Sequence, residues 1–536
     1  MRLGCLGLIL HLLVHLAVAP AADILAVFPY RLPSPFQVVR PLVRALVERG
    51  HRITVITPVG LPPDIEGVRH LRVPMLDKLM QDFLESDQFP DFFRNKWSEG
   101  IITATVLANV SYAILSDGGV QRMLRDKSER FDMILMEASH LDALYGLAEF
   151  YNATLMGVSC VTTSWKIDFL AGNPAPSIYE PVSHMDYALD HSLINMWHNW
   201  VYITEEKLLD QLVFLPAQLQ VMKKIFGYSA EMLDSLRSRF SIILMNSHFS
   251  MGRVRSNVPN LIEVGGMHLS ETPEPCDEKL QRFMDEAEHG VIYFSMGQDI
   301  LVRFLPHNVQ QPFLQAFTRL KQRVVWKSEF PSVSNNSDNI FVIAMAPQRE
   351  ILAHPNLRLF ISHGGLLSVM EAIDSGVPVL GLPLFFDQFN NLHRVKKAGM
   401  AKVLDANNLA ADTLTSTIQE LLENPEYAAR AKNMSESFKD RPMSPLETAV
   451  WWTEYALRNR DVTHMRLNVE QIPLIRYYRL DSVLFLVFRL GFVAGTIIVL
   501  GYRLYRKHRD RQRRFEERER VFLQIRMPLD WYETAW

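Results

Sequence analysis

The sequence predicts an α/β protein made of two parallel-sheet domains in tandem, followed by one membrane-spanning helix. Three observations predict it. Short apolar runs alternate with helical periodicity from residue 23 onward. A Pro- and Gly-rich break, with Pro259, Gly265, Gly266, Pro273 and Pro275, separates two such series. Residues 483–502 form a mostly apolar run followed by a basic cluster. Strand, helix and strand in quick succession make a βαβ unit, and that unit requires parallel strands.

Residues 1–22 carry Arg2, an apolar run and then Ala17, Ala19, Ala21 and Ala22, the layout of a cleavable secretory signal. Residues 23–28 read as a buried strand ended by Pro29, and a loop with Pro33 and Pro35 follows. Val38, Val39, Leu42, Val43, Leu46 and Val47 recur at helical spacing up to Gly50, a C-terminal stop. Residues 53–57, 133–136 and 154–158 read as further strands of this sheet, while 76–125 and 187–226 read as helical. After the break, strands fall at 291–294, 323–326, 340–343, 359–361 and 378–382. The expected organisation is signal 1–22, first domain 23–264, second domain 265–462, juxtamembrane segment 463–482, span 483–502 and tail 503–536.

The span is long enough to cross a bilayer as a helix. Arg489 lies near its start and can snorkel toward the headgroups. Arg503, Arg506, Lys507, Arg509, Arg511, Arg513 and Arg514 put the tail in the cytosol, giving a type I topology. Sequons at Asn109, Asn152, Asn335 and Asn433 suit a secretory lumen.

Composition narrows the function. Lys plus Arg is 56 against 59 Asp plus Glu, a net charge of −3, which argues against a nucleic-acid binder. Cys5 belongs to the leader, so Cys160 and Cys276 are too few for a disulfide framework or a four-cysteine metal site.

The chemistry concentrates in the second half. Residues 359–361 run into Ser362-His363-Gly364-Gly365 and then a helical pattern. Glycines at a strand-to-helix turn allow close backbone approach, and a helix N-terminus offers free N–H groups, a combination that suits a phosphate. His363 can donate to a phosphate oxygen. Leu367 and Glu371 follow at steps of four, so the three would share a face, and Glu371 can accept from ribose hydroxyls. Asp387 and Gln388 follow the strand at 378–382, where an acceptor and an amide can read sugar hydroxyls.

Together these residues resemble the signature of the UDP-glycosyltransferase family, membrane-anchored animal type: Ser-His-Gly-Gly, a Glu eight residues after the His, Gly376-Val377-Pro378 and a closing Asp-Gln. Phe294-Ser295-Met296-Gly297, Pro347-Gln348, Ala353-His354-Pro355 and Phe438-Lys439-Asp440-Arg441-Pro442 extend the resemblance over nearly the whole chain. It implies a GT-B fold of two Rossmann-like domains facing a cleft, with a helix near 446–457 packing back on the first. It implies inverting transfer from a UDP-sugar, glucose favoured over glucuronate, to a small lipophilic acceptor, with neither metal nor cofactor. By the same resemblance Gln348 would lie near uracil, Ser362, His363 and Gly364 at the diphosphate, Glu371 at the ribose, and Asp387 and Gln388 at the sugar. The location would be the endoplasmic reticulum membrane, and homo- or hetero-oligomers with related transferases are compatible with it.

Five positions depart from the family pattern. The base histidine after the first strand falls on Pro35, and its supporting Asp falls on Glu137, which keeps a carboxylate. Gln298 stands for a Ser, Met345 for a Trp and Leu367 for an Asn. Three readings follow: Glu137 or His140 acts as base; the loop aligns differently, with His51 the other nearby histidine; or the chain binds a UDP-sugar or lipophile without turnover.

Overall fold

The computed structural model describes residues 21–29, 33–58, 65–86, 95–173, 193–251, 255–270, 275–297, 310–328, 337–384, 387–467 and 480–525. Two parallel sheets organise residues 21–467. The first holds β1 (Asp23–Val27), β2 (Arg52–Thr57), β3 (Val68–Arg72), β4 (Met133–Glu137), β5 (Thr154–Ser159), β6 (Phe240–Met245) and β7 (Leu261–Glu263). Their spatial order is β3-β2-β1-β4-β5-β6-β7. The second holds β8 (Val291–Ser295), β9 (Arg323–Lys327), β10 (Ile340–Ile343), β11 (Leu357–Ser362), β12 (Val379–Gly381) and β13 (Ala401–Val403), in the order β10-β9-β8-β11-β12-β13.

Both sheets are doubly wound, so the order reverses once in each, between β1 and β4 and between β8 and β11. Ligands of open α/β sheets bind beyond the carboxyl ends of the strands at such reversals. Here those ends carry Glu137 on the first sheet, and Ser295 paired with Ser362 on the second.

Central strands are apolar on both faces because helices cover both. In β1, Leu25 and Val27 join one core cluster while Ile24 and Ala26 join the other. Four strands were not foreseen. β3, β7 and β13 are edge or near-edge strands too short or too polar to give a run, and β7 lies inside the stretch expected to be a break. β6 is buried throughout, and such a run reads equally as a helix core.

A helix rather than a loop follows β1. It spans Pro33–Glu48, so Pro35 sits in its first turn, where a missing N–H costs nothing. The helix Pro445–Arg458 packs on the first sheet, placing Ala449, Val450 and Ala456 in one cluster with Ile24, Met133 and Val158. It opens with a capping box: Ser444 accepts from the Glu447 N–H while Glu447 accepts from the Ser444 N–H. Ser444→Ala is expected to cost about 1 kcal/mol, read as a lower denaturant midpoint at unchanged slope.

Cys160 and Cys276 are unbridged. Asn109 and Asn433 are exposed on helices and Asn152 in a turn, whereas Asn335, like the proposed signal, lies outside the described residues.

Residues 480–525 form a separate unit, one helix of 46 residues. Its mean hydropathy reaches 2.5 and none of the apolar window is buried, so it is long and apolar enough to span a bilayer. The helix continues through the basic segment, whose Arg and Glu residues are good helix formers. The helix Lys96–Ser116 is also apolar, but it buries Val110, Ala113 and Ile114 in the first core.

Candidate functional site

The second sheet's reversal point is built from two turns. After β8 the chain turns at Gly297, with φ +83°, and Lys327 Nζ donates to the Gly297 carbonyl at 2.6 Å. After β11, Gly364 turns at φ +90° and its N–H donates to Ser362 Oγ at 3.2 Å. His363 lies between them. A Cβ at Gly297 would sit 2.7 Å from His363 Cε1, and one at Gly365 would sit 2.6 Å from Nε2. Both glycines are therefore required by the ring.

Burial, and then the Lys327 charge, push the His363 imidazole down to about 4, so the ring is neutral near pH 7. Its Nδ1 is buried and makes no hydrogen bond. The helix that follows, Leu366–Ser375, has Gly365 at its N-cap and no capping side chain. A neutral ring, one of whose nitrogens bonds the Ser295 backbone, therefore stands beside uncapped N–H groups, and those N–H groups can hold an anion. Because the helix starts at Leu366, His363 precedes it, and only Leu367 and Glu371 of the expected trio lie on its surface.

Glu371 is one turn past Leu367. Its Oε2 accepts from Gln348 Nε2 at 2.7 Å, and the same amide donates to Ser368 Oγ at 3.0 Å. Tyr293 donates to Gln348 Oε1 at 3.2 Å. Burial raises Glu371 to about 7, with Gln348 and Arg349 opposing. The His268 ring lies 3.7 Å from Glu371 Oε1, yet burial and Arg349 push it down to about 3, so it faces the carboxyl uncharged.

Asp387 stands at the N-cap position of the helix Gln388–Lys397 without a capping hydrogen bond, and it accepts from Asn391 Nδ2 at 2.9 Å. Asn391 also donates to the Gly364 carbonyl at 3.1 Å, tying this corner to the glycine turn. Gln388 Oε1 accepts from the Leu384 N–H at 2.8 Å. Met345 is 80% exposed, so its side chain is an open surface rather than a packed wall. Leu367 packs against the core cluster that holds Ile24, Met133 and Met267. Gln298 lies outside the described residues.

At the first sheet's reversal point, Glu137 ends β4 and is buried, and its charge helps raise the Cys160 thiol, which burial raises most. His140 follows in the loop, its Nδ1 3.3 Å from Asp210 Oδ1. His51 accepts from the Ala22 N–H at 3.2 Å and lies 3.8 Å from Glu454, a structural place beside β2.

Sequence reading brought together Gln348, Ser362, His363, Gly364, Glu371, Asp387 and Gln388. It missed Lys327, Ser368, Asn391, His268 and Asp210, whose partners are distant in the chain. Of these, Asn391 alone had a local signal, one helical turn after Asp387.

Residues 27–514 match the family model described as UDP-glucoronosyl and UDP-glucosyl transferase. UDP-glucosyltransferase 2 of Dactylopius coccus is 31% identical, with 88% of this chain and 91% of that protein covered. The 2-hydroxyacylsphingosine 1-beta-galactosyltransferase of Rattus norvegicus is 30% identical, covering 90% and 88%. Among solved structures, glycosyltransferase VinC in complex with DTDP superposes with a TM-score of 0.53 at 16% identity, over 82% of this chain and all of that one. That last likeness concerns the fold.

Proposed function

Because the chain belongs to the UDP-glycosyltransferase family, we propose that it moves a hexose from a UDP-sugar to a hydroxyl of a small lipophilic acceptor, inverting the anomeric centre without a metal. The observation that carries the donor half is His363: a buried, neutral ring with an unpartnered Nδ1 beside an uncapped helix N-terminus. A buried ring nitrogen left unpaired is explained by a ligand that satisfies it.

In this reading the diphosphate lies against Ser362, His363, Gly364 and the first turn of the helix Leu366–Ser375. Gln348 and Met345 flank the uracil, Gln298 is a further donor-binding residue, and Glu371 accepts from the ribose hydroxyls. Asp387 and Gln388 read the sugar, with glucose favoured over glucuronate. The leaving UDP gains charge where the helix N-terminus can stabilise it. The base comes from the carboxyl end of β4, with Glu137 as the family-equivalent carboxylate. The α/β unit would face the lumen of the endoplasmic reticulum, with Asn109, Asn152, Asn335 and Asn433 open to glycosylation. The helix Leu480–Ile525 would anchor it.

A second reading, donor binding without turnover, is favoured by Pro35 at the usual base position. Acceptor-dependent UDP release separates the two. With UDP-glucose or UDP-glucuronate and a panel of phenols and alcohols, the transfer reading expects release that rises with acceptor. Donor binding with no release for any acceptor supports the second reading.

A further inference from the structure

We propose that His140, oriented by the Asp210 carboxylate, takes the acceptor's proton in place of the histidine that Pro35 replaces; the inference rests on the transfer reading above. His140 lies three residues beyond Glu137, in the loop at the carboxyl end of β4. That is the β1–β4 reversal point, where the fold presents ligands to the first domain. Pro35 stands across the same point, in the first turn after β1.

The ring is held on two sides. Nδ1 is 3.3 Å from Asp210 Oδ1, and the ring stacks on Phe214 at a centroid distance of 4.1 Å and 24° between planes. Asp210 and Phe214 are the first and last residues of one π-turn inside an otherwise α-helical stretch. Such turns insert an extra residue and are frequent at functional sites, and this one aims both partners at one imidazole. Asp210 is itself fixed: Lys166 Nζ lies 3.0 Å from Oδ1, and Arg237 pairs with Oδ2. An anchored carboxylate 3.3 Å from Nδ1 stabilises the imidazolium that forms when Nε2 takes a proton, the logic of a histidine–acid pair.

Nε2 makes no hydrogen bond among the described residues. The His140 side chain is 19% exposed, while Glu137 is buried at the end of its strand. The charged groups around the ring are Asp210, with Lys166, Arg237 and Asp142 behind it, and Glu137 on its own segment.

The step balances. The acceptor O–H gives its proton to Nε2, and its oxygen forms a bond to the anomeric carbon. The bond from that carbon to UDP breaks, and UDP leaves with the electron pair. The imidazolium, paired with Asp210, then releases the proton to solvent.

The test uses the detergent-solubilised full chain with UDP-glucose and two acceptors, 4-nitrophenol and 1-octanol. His140→Gln and His140→Asn are compared with wild type and with Glu137→Gln, each checked by melting curve. Asn keeps a donor near the Nδ1 position for Asp210, so it preserves the packing and removes the base. The expected result is a fall in kcat/KM of about 10²- to 10⁴-fold for octanol and a smaller fall for the more acidic phenol. UDP-glucose affinity should be unchanged, and the acid limb of the pH–rate profile should vanish. Octanol transfer that survives His140→Asn within about threefold, or equal losses for both acceptors with the acid limb intact, would overturn the assignment of the base alone. Wild-type protein that releases no UDP with either acceptor would overturn the transfer reading and this inference together.

Discussion

Lys166→Met should destabilise the first domain by about 3–5 kcal/mol. Lys166, Asp142, Asp210 and Arg237 form a closed group in which every side chain is at least nine-tenths buried. Lys166 Nζ reaches Asp142 at 2.9 Å and Asp210 at 3.0 Å, and Arg237 Nε reaches Asp142 at 3.0 Å. Two carboxylates thus face two cations. Burial alone would raise Asp210, but Lys166, the His140 hydrogen bond and Arg237 more than offset it and hold Asp210 well below the usual carboxylate range. Taking away one cation strands a carboxylate in a place water does not reach, and that desolvation outweighs any gain from methionine packing. The melting temperature should fall by roughly 10 °C. Adding Asp142→Asn should recover part of the loss, because it removes the stranded charge. A shift below about 1 °C in the single variant would mean the group is solvated.

UDP-glucose should bind about thirtyfold more weakly at pH 5.5 than at pH 8.5. The cause is Glu371, which burial raises to about 7 in the ligand-free protein. An ionised carboxylate accepts from both ribose hydroxyls more strongly than the protonated acid does, so binding favours loss of a proton below pH 7 and affinity climbs as pH rises through that value. The UDP-glucose diphosphate has no proton to lose in this window, and His363, at about 4, is neutral across it. Stability runs the other way. A carboxyl raised by folding holds its proton longer in the folded state, so its contribution to stability falls as pH rises from 4.5 to 7. His268, lowered to about 3, opposes this, since stability falls as pH drops below 6.5 and the unfolded imidazole gains a proton. The two slopes overlap in melting data, which makes binding the cleaner measurement. Glu371→Gln should flatten the pH dependence, and a profile that keeps its slope in that variant would assign it to another group.

The fold was legible where strands are central and apolar. β1, β4, β5, β8 and β11 carry their own signal because both faces are covered. An edge strand such as β3 buries none of its residues fully and exposes Arg69 and Arg72, so it leaves no apolar run to read. The glycine turn of the candidate donor site was legible because its glycines and His363 are consecutive. Lys327 and His268 were not, since each comes from a distant element of the chain. The first-domain site was the least legible. His140 could be seen as a candidate, but Asp210 belongs to a π-turn seventy residues later, as 210 less 140 gives. No local pattern announces an insertion of that kind, and only the packing joins the two.

Calorimetry of UDP-glucose against the wild-type chain and His363→Ala, at pH 8, reports whether His363 holds the donor. Measurable binding is expected in the wild type and a loss of about tenfold to a hundredfold in the variant, the worth of one hydrogen bond to a charged group. Absence of binding in the wild type, or equal binding in both proteins, would contradict that role.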